Sequence, residues 1–113
     1  MKVKKMIIRT DYQAIYNEAI EAGNKAYNEY FEKYGEPMYC GFAWAYFPSA
    51  RTPFVTWCKK NSVGSKHWSK GWQIWNPCGH GTQSMDLKEV SAQAFCEVLE
   101  KHGIVCYMES RAD

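Results

Sequence analysis

Between Lys59 and Trp75 the cations Lys59, Lys60, Lys66 and Lys70, together with His67, interleave with the rings of Trp68, Trp72 and Trp75. Ammonium groups neutralise phosphates and planar rings stack on unpaired bases, so this mixture suits single-stranded nucleic acid. Arg51 lies a short way upstream and adds to the same charge. Aromatic surfaces also concentrate the energy of protein interfaces, and Trp68, set in a polar stretch, is the ring expected to stand furthest out. The competing reading is structural. Lysines are mostly solvated wherever they fall, and Trp72 and Trp75 can be ordinary strand residues.

Other candidates involve sulfur and imidazole. Cys78, Gly79 and His80 share a turn, where a soft-ligand pair can begin a zinc site, but a structural zinc needs four ligands and no second close pair exists. Cys78 beside His80, or Cys58 brought near His67, could form a thiol nucleophile with its base. Such a pair also needs a third group to orient the base, and no acid is close in sequence to serve. No phosphate-cradling glycine loop, paired-carboxylate motif or nucleotide fingerprint is present. A third possibility is a nucleotide-sized pocket lined by Gly41, Ala43 and Trp44, whose small residues would admit a ligand.

The charge distribution points the same way as the Lys59 to Trp75 segment. The net charge is +2, yet residues 37–85 sum to +5 and hold no acid between Glu36 and Asp86, while residues 11–36 sum to −4 and 86–113 to −3. A one-signed surface attracts oppositely charged partners, whereas acidic helices repel phosphate unless they face away from it. With 113 residues, 46% of them hydrophobic, the chain has room for one core and is expected to form one domain over residues 1–113. Five cysteines, an odd number without regular spacing, argue against a disulfide framework. No apolar run approaches the roughly 18 residues that span a bilayer, and Met1 to Thr10 lacks the apolar stretch of a secretory signal; the expectation is a cytoplasmic protein.

The elements that must position these residues follow from periodicity. Apolar positions at helical spacing predict a helix from Asp11 to Tyr34, opened by a Thr10/Gln13 capping box and closed by Gly35. Lys2 to Ile8 reads as an edge strand or a basic arm. Met38 to Phe47 alternates as a strand, with Cys40, Phe42, Trp44 and Tyr46 on one side and Tyr39, Gly41, Ala43 and Ala45 on the other. Thr52 and Pro53 cap and begin a short helix over Pro53 to Lys60. Asn61 to Gly71 is a loop, Gly71 to Asn76 a strand and Pro77 to Gln83 a turn. Asp86 with Glu89 makes a second capping box, with Met85 stapled on Val90, and Gly103 ends that helix before a strand over Ile104 to Glu109. The sum is an α+β fold: three or four strands, antiparallel or mixed, with two long helices on one face and one short helix.

The runs Cys40-Gly41-Phe42-Ala43-Trp44, Phe54 with Trp57 and Lys59-Lys60, Gly71-Trp72-Gln73-Ile74-Trp75, Gln83-Ser84-Met85, Ala92 with Ala94 and Phe95, Gly103-Ile104 and Ser110-Arg111 resemble a family of small bacteriophage-encoded proteins without an assigned activity. The resemblance covers the chain from about Tyr12 onward, and the cysteines at 58, 78, 96 and 106 are not part of its pattern. It implies a context of host takeover or evasion of host immunity by stoichiometric binding, with an anti-CRISPR-like role as one form. The expectation is therefore a non-enzymatic protein without cofactor or metal, located in the host cytoplasm. It would bind a host protein, nucleoprotein complex or nucleic acid, and no membrane, through Arg51, Lys59, Lys60, Lys66, Trp68, Lys70, Trp72 and Trp75. A nucleotide-sequestering pocket and a cysteine/histidine enzyme are the alternatives.

Overall fold

The computed structural model describes residues 10–113; the strand or arm expected over Lys2 to Ile8 lies outside them. The first element is helix α1, Tyr12–Tyr34, whose buried stripe is Ile15, Ala19 and Gly23. Its N-cap is Asp11 and not the expected Thr10: the Asp11 carboxylate accepts from the Ala14 N–H at 3.0 Å. A charged acceptor at a helix N-terminus also meets the positive end of the dipole, which favours it over a hydroxyl one residue earlier.

Strand β1, Gly41–Phe47, is the centre of the sheet. Helix α2, Pro53–Lys60, follows with Thr52 Oγ1 accepting from Val55 N–H at 3.2 Å, so both of its ends agree with the sequence reading. The stretch expected to be loop contains a two-residue strand, β2, Ser65–Lys66, which pairs with β3, Trp72–Trp75. Helix α3, Met85–Lys101, and strand β4, Tyr107–Ala112, complete the chain. The N-cap of α3 is Ser84 rather than Asp86, because Cys40 and Ser84 form a β-bridge and Gly41 N–H donates to Gln83 O at 3.2 Å, pinning the chain just before the first turn. Met85 is therefore inside the helix and cannot act as the expected staple. Strand β4 starts three residues later than expected, since Cys106 turns inward against Cys96, and its pairing with β1 runs from Tyr46 opposite Tyr107 to Gly41 opposite Ala112.

The sheet has spatial order β2-β3-β1-β4 with every neighbouring pair antiparallel. The order β1, α2, β2, β3, α3, β4 is a double split β-α-β, the ferredoxin-like arrangement, with α1 added in front. Ala43, Ala45, Phe47, Trp72, Ile74 and Met108 point to the helical side, where Phe54, Val55, Leu87, Phe95 and Leu99 close the core. The alanines let α3 lie close on β1, and each fully buried large side chain contributes about 1.5–3 kcal/mol of transfer free energy. Gly23 is the point of close approach between α1 and α3, for a Cβ there would stand 2.9 Å from Ser91 O and collide with Cys78 Sγ. Among the described residues no helix is long and apolar enough to cross a membrane.

Candidate functional site

Helices cover one side of the sheet only. The other side is formed by the alternate residues Phe42, Trp44 and Tyr46 of β1, Gln73 and Trp75 of β3, and Tyr107, Glu109 and Arg111 of β4, as the cross-strand register requires. Trp44 occupies its middle. One of its faces stacks on Trp75, with centroids 4.8 Å apart and planes 12° from parallel, and its indole N–H donates to Glu109 Oε1 at 2.9 Å. Trp75 also meets Phe42 at 5.6 Å and keeps 42% of its surface exposed. Tyr107 is exposed beside Tyr46. Five rings thus share one side of the sheet, with Trp75 and Tyr107 exposed and Trp44 buried among its neighbours.

The turn between β2 and β3 folds onto this surface at the Tyr46 end. His67 lies 4.4 Å from the Tyr46 ring, its Nδ1 accepts from Ser69 N–H at 3.2 Å, and its Nε2 faces Glu109 Oε1 at 3.5 Å. The acceptor role of Nδ1 places the proton on Nε2, which is buried near the carboxylate without a hydrogen-bond partner. Glu109 accepts one hydrogen bond, from Trp44, and its side chain keeps 39% of its surface in solvent, which keeps a carboxylate tolerable among rings. Trp68, next in the chain, is 86% exposed.

The expected binding residues separate into three locations. Trp68 and Trp75 stand with the uncovered face. Arg51 and Lys70 line a cleft of about 530 Å³ with Pro48, Ser49, Ala50 and Gly71 at its Tyr46 end, and Tyr46 Oη donates to Lys70 O at 3.0 Å. Gly71 is required there, since its φ is 97° and a Cβ would strike Phe47 O. Lys59 and Lys60 end α2, with Lys59 Nζ donating to Ala50 O at 2.8 Å beside that cleft, and Lys66 pairs with Trp72 and leaves β2 on the helical side. Trp72 is a correction. It is 9% exposed and its indole N–H donates inward to Val63 O at 3.0 Å, because its register partner is the core residue Phe47. Its ring cannot meet a partner on the open face.

The remaining sequence candidates come apart. Gly41 and Ala43 face α3 while Trp44 faces the other way, so those three residues line no common pocket. Cys58 is fully buried and burial pushes its thiol up to about 12, while His67 lies across the sheet. Cys78 Sγ turns to Ile20 O at 3.6 Å and burial raises its pKa, whereas His80 stacks on Tyr27 with centroids 3.8 Å apart. Both thiols are held protonated and neither faces its proposed imidazole. Among the described residues no cluster of three or more His, Cys, Asp or Glu side chains is placed to hold a metal.

Sequence reasoning missed Phe42, Tyr46, Tyr107, Glu109, Arg111 and Lys88, and set Trp44 in a pocket with Gly41 and Ala43. The alternation of β1 was the available signal, but the β4 residues enter only through a pairing distant in sequence. Comparison with known proteins adds nothing to this geometry: no family model matches the chain, and neither curated proteins nor solved structures give a match.

Proposed function

We propose that this chain is a non-enzymatic binding module that receives single-stranded nucleic acid on the open face of its sheet, either free or as the exposed strand of a nucleoprotein. The observation that carries the reading is the half-exposed Trp75 ring, backed by the stacked Trp44 and flanked by Phe42, Tyr46 and Tyr107 on one uncovered surface. Four-stranded sheets that recognise RNA use rings on their exposed strands to stack two or three bases. Here the two central strands, β1 and β3, supply them. The likeness is one of arrangement, and the site residues supply the argument.

Electrostatics support the same partner. The glutamates of α1, Glu18, Glu21, Glu29 and Glu32, belong to the helical layer behind the sheet, while Glu109 of β4 stands on the ring side, where it accepts from Trp44. Arg51 and Lys70 extend one end of the face with positive charge. A duplex, whose bases are stacked on one another, offers the rings nothing to stack on. The resemblance to bacteriophage-encoded proteins supports a host strand or host nucleoprotein, a defence complex included, as the source of the ligand.

The test is fluorescence anisotropy of the full chain with labelled ten-nucleotide RNA and DNA homopolymers and with a duplex of the same length. Single strands are expected to bind, the duplex much more weakly, and Trp75→Ala and Tyr107→Ala to weaken the single-strand complex. Absence of single-strand binding at low salt, or equal affinity for the duplex with no effect of Trp75→Ala, overturns the reading.

A further inference from the structure

At the end of the open face opposite the Arg51/Lys70 cleft, two cations converge on one ring. Lys88 Nζ stands 5.0 Å and Arg111 Cζ 5.7 Å from the centroid of Phe42. They come from different elements, Lys88 from the first turn of α3 and Arg111 from β4, where Arg111 is the register partner of Phe42. Lys88 is held in place, since its Nζ donates to Gly41 O at 2.9 Å. Neither cation forms an ion pair among the described residues. The acids in the neighbourhood are Asp113, which shares a hollow of about 340 Å³ with Lys88, Glu89, which accepts from Ser110 Oγ, and Glu109, whose Oε1 accepts from Trp44.

A ring quadrupole holds a cation but leaves its charge in place. Two like charges brought over one ring repel each other, and a bound anion relieves that repulsion. The same Phe42 ring touches Trp75, the exposed stacking ring. A phosphate at the two cations would therefore lie one ring away from a base on Trp75.

We propose that Lys88 and Arg111 form a phosphate seat, and that with Trp75 they recognise one nucleotide as a unit, base on the indole and phosphate on the cations. This rests on the single-strand reading above and deepens it. The same chemistry is offered by a nucleotide within a strand and by a free mononucleotide; the strand is favoured because the rings continue past Trp75 and Trp44 to Tyr46 and Tyr107 and end at the second basic cleft.

The experiment measures the salt dependence of ten-nucleotide oligoadenylate binding for the full chain, for Lys88→Gln/Arg111→Gln, for Arg111→Gln alone, for Trp75→Ala, and for Lys25→Gln on the helical side as control. Counterion release makes log affinity linear in log salt, with roughly 0.7 of slope for each phosphate neutralised on a single strand. The double variant is expected to lose about 0.7 of slope. Arg111→Gln, exposed and outside the core, is expected to lose part of it, and Lys25→Gln none. Trp75→Ala should weaken binding by roughly 5- to 150-fold with its slope unchanged. If the parent binds and Trp75→Ala weakens it but the double variant keeps the full slope, the phosphate seat is wrong while the single-strand reading stands. If the parent does not bind, both fall. Adenosine monophosphate displacing the oligomer at comparable concentration would assign the seat to a free nucleotide and overturn the strand, and inorganic phosphate displacing it equally well would overturn the base-plus-phosphate unit.

Discussion

Trp72 and Trp75 are three residues apart on one strand, and alanine substitution is expected to separate them completely. Trp72 is 9% exposed and gives its N–H to Val63 O. Truncating a buried Trp costs about 3–5 kcal/mol, and the orphaned carbonyl adds about 1 kcal/mol. Trp75 is 42% exposed and loses mainly its contacts with Trp44 and Phe42, for about 1–2 kcal/mol. At about 4 °C per kcal/mol for a chain of this size, Trp72→Ala lowers Tm by roughly 20 °C and Trp75→Ala by roughly 6 °C. Binding should order the two in reverse. Stacking one base contributes about 1–3 kcal/mol, so Trp75→Ala weakens single-strand affinity by roughly 5- to 150-fold. Trp72→Phe, which keeps the core filled, should bind within about twofold of the parent, on the premise that its ring never meets the ligand. The assay is a thermal melt for each variant, followed by anisotropy well below each Tm. A Trp75→Ala melt lower than that of Trp72→Ala, or a folded Trp72→Phe that has lost binding, refutes the assignment of faces.

Three further outcomes follow from the interior. Gly23→Ala should destabilise by about 1–3 kcal/mol in chemical denaturation despite the roughly 1 kcal/mol helix-propensity gain, because α1 must back away from Ser91 O and Cys78; a more stable variant would show that the two helices have slack. In the folded chain at about pH 8, iodoacetamide should label Cys40 quickly and leave Cys58, Cys78 and Cys106 unmodified, since burial pushes the Cys58 and Cys78 thiols up and the hydrogen bond with Cys96, together with burial, does the same at Cys106; mass spectrometry of peptides reads the result. Burial lowers the pKa of His80 below its ordinary 6.5 and its Nε2 has no partner, so the unfolded chain takes up a proton that the folded chain resists. The stability from neutral His80 is complete above about pH 6.5 and declines as pH falls through that value toward the folded pKa. Tm should therefore drop on acidification and drop less in His80→Gln, and equal drops would remove His80 as the cause.

Much of the fold was legible because it rests on local rules. Thr52 and Pro53 set the start of α2, helical spacing marked α1 and α3, and the alternation of large and small residues in β1 announced a strand with one close-packed side. The helix starts at Asp11 and Ser84 were misplaced by one or two residues, since several neighbouring side chains can cap and only the surrounding hydrogen bonds choose among them. The basic-aromatic segment was legible as composition but not as a surface. Its lysines divide between the cleft and the helical side because β2 and α2 turn them there.

The sequence by itself determined that Trp72 and Trp75 oppose each other, for an odd spacing in a strand with a two-residue period puts them on different faces. Which of them meets solvent was decided by the tertiary pairing, which sets Trp72 against Phe47 and Trp75 against Trp44. The same holds for Lys88, Arg111 and Phe42, which come from α3, β4 and β1 and meet only because the strand order places β4 beside β1. Side-chain direction along an element is a local property of backbone geometry, whereas register and strand order come from contacts between segments far apart in the chain. A site assembled across those contacts has no signature in any single stretch of residues.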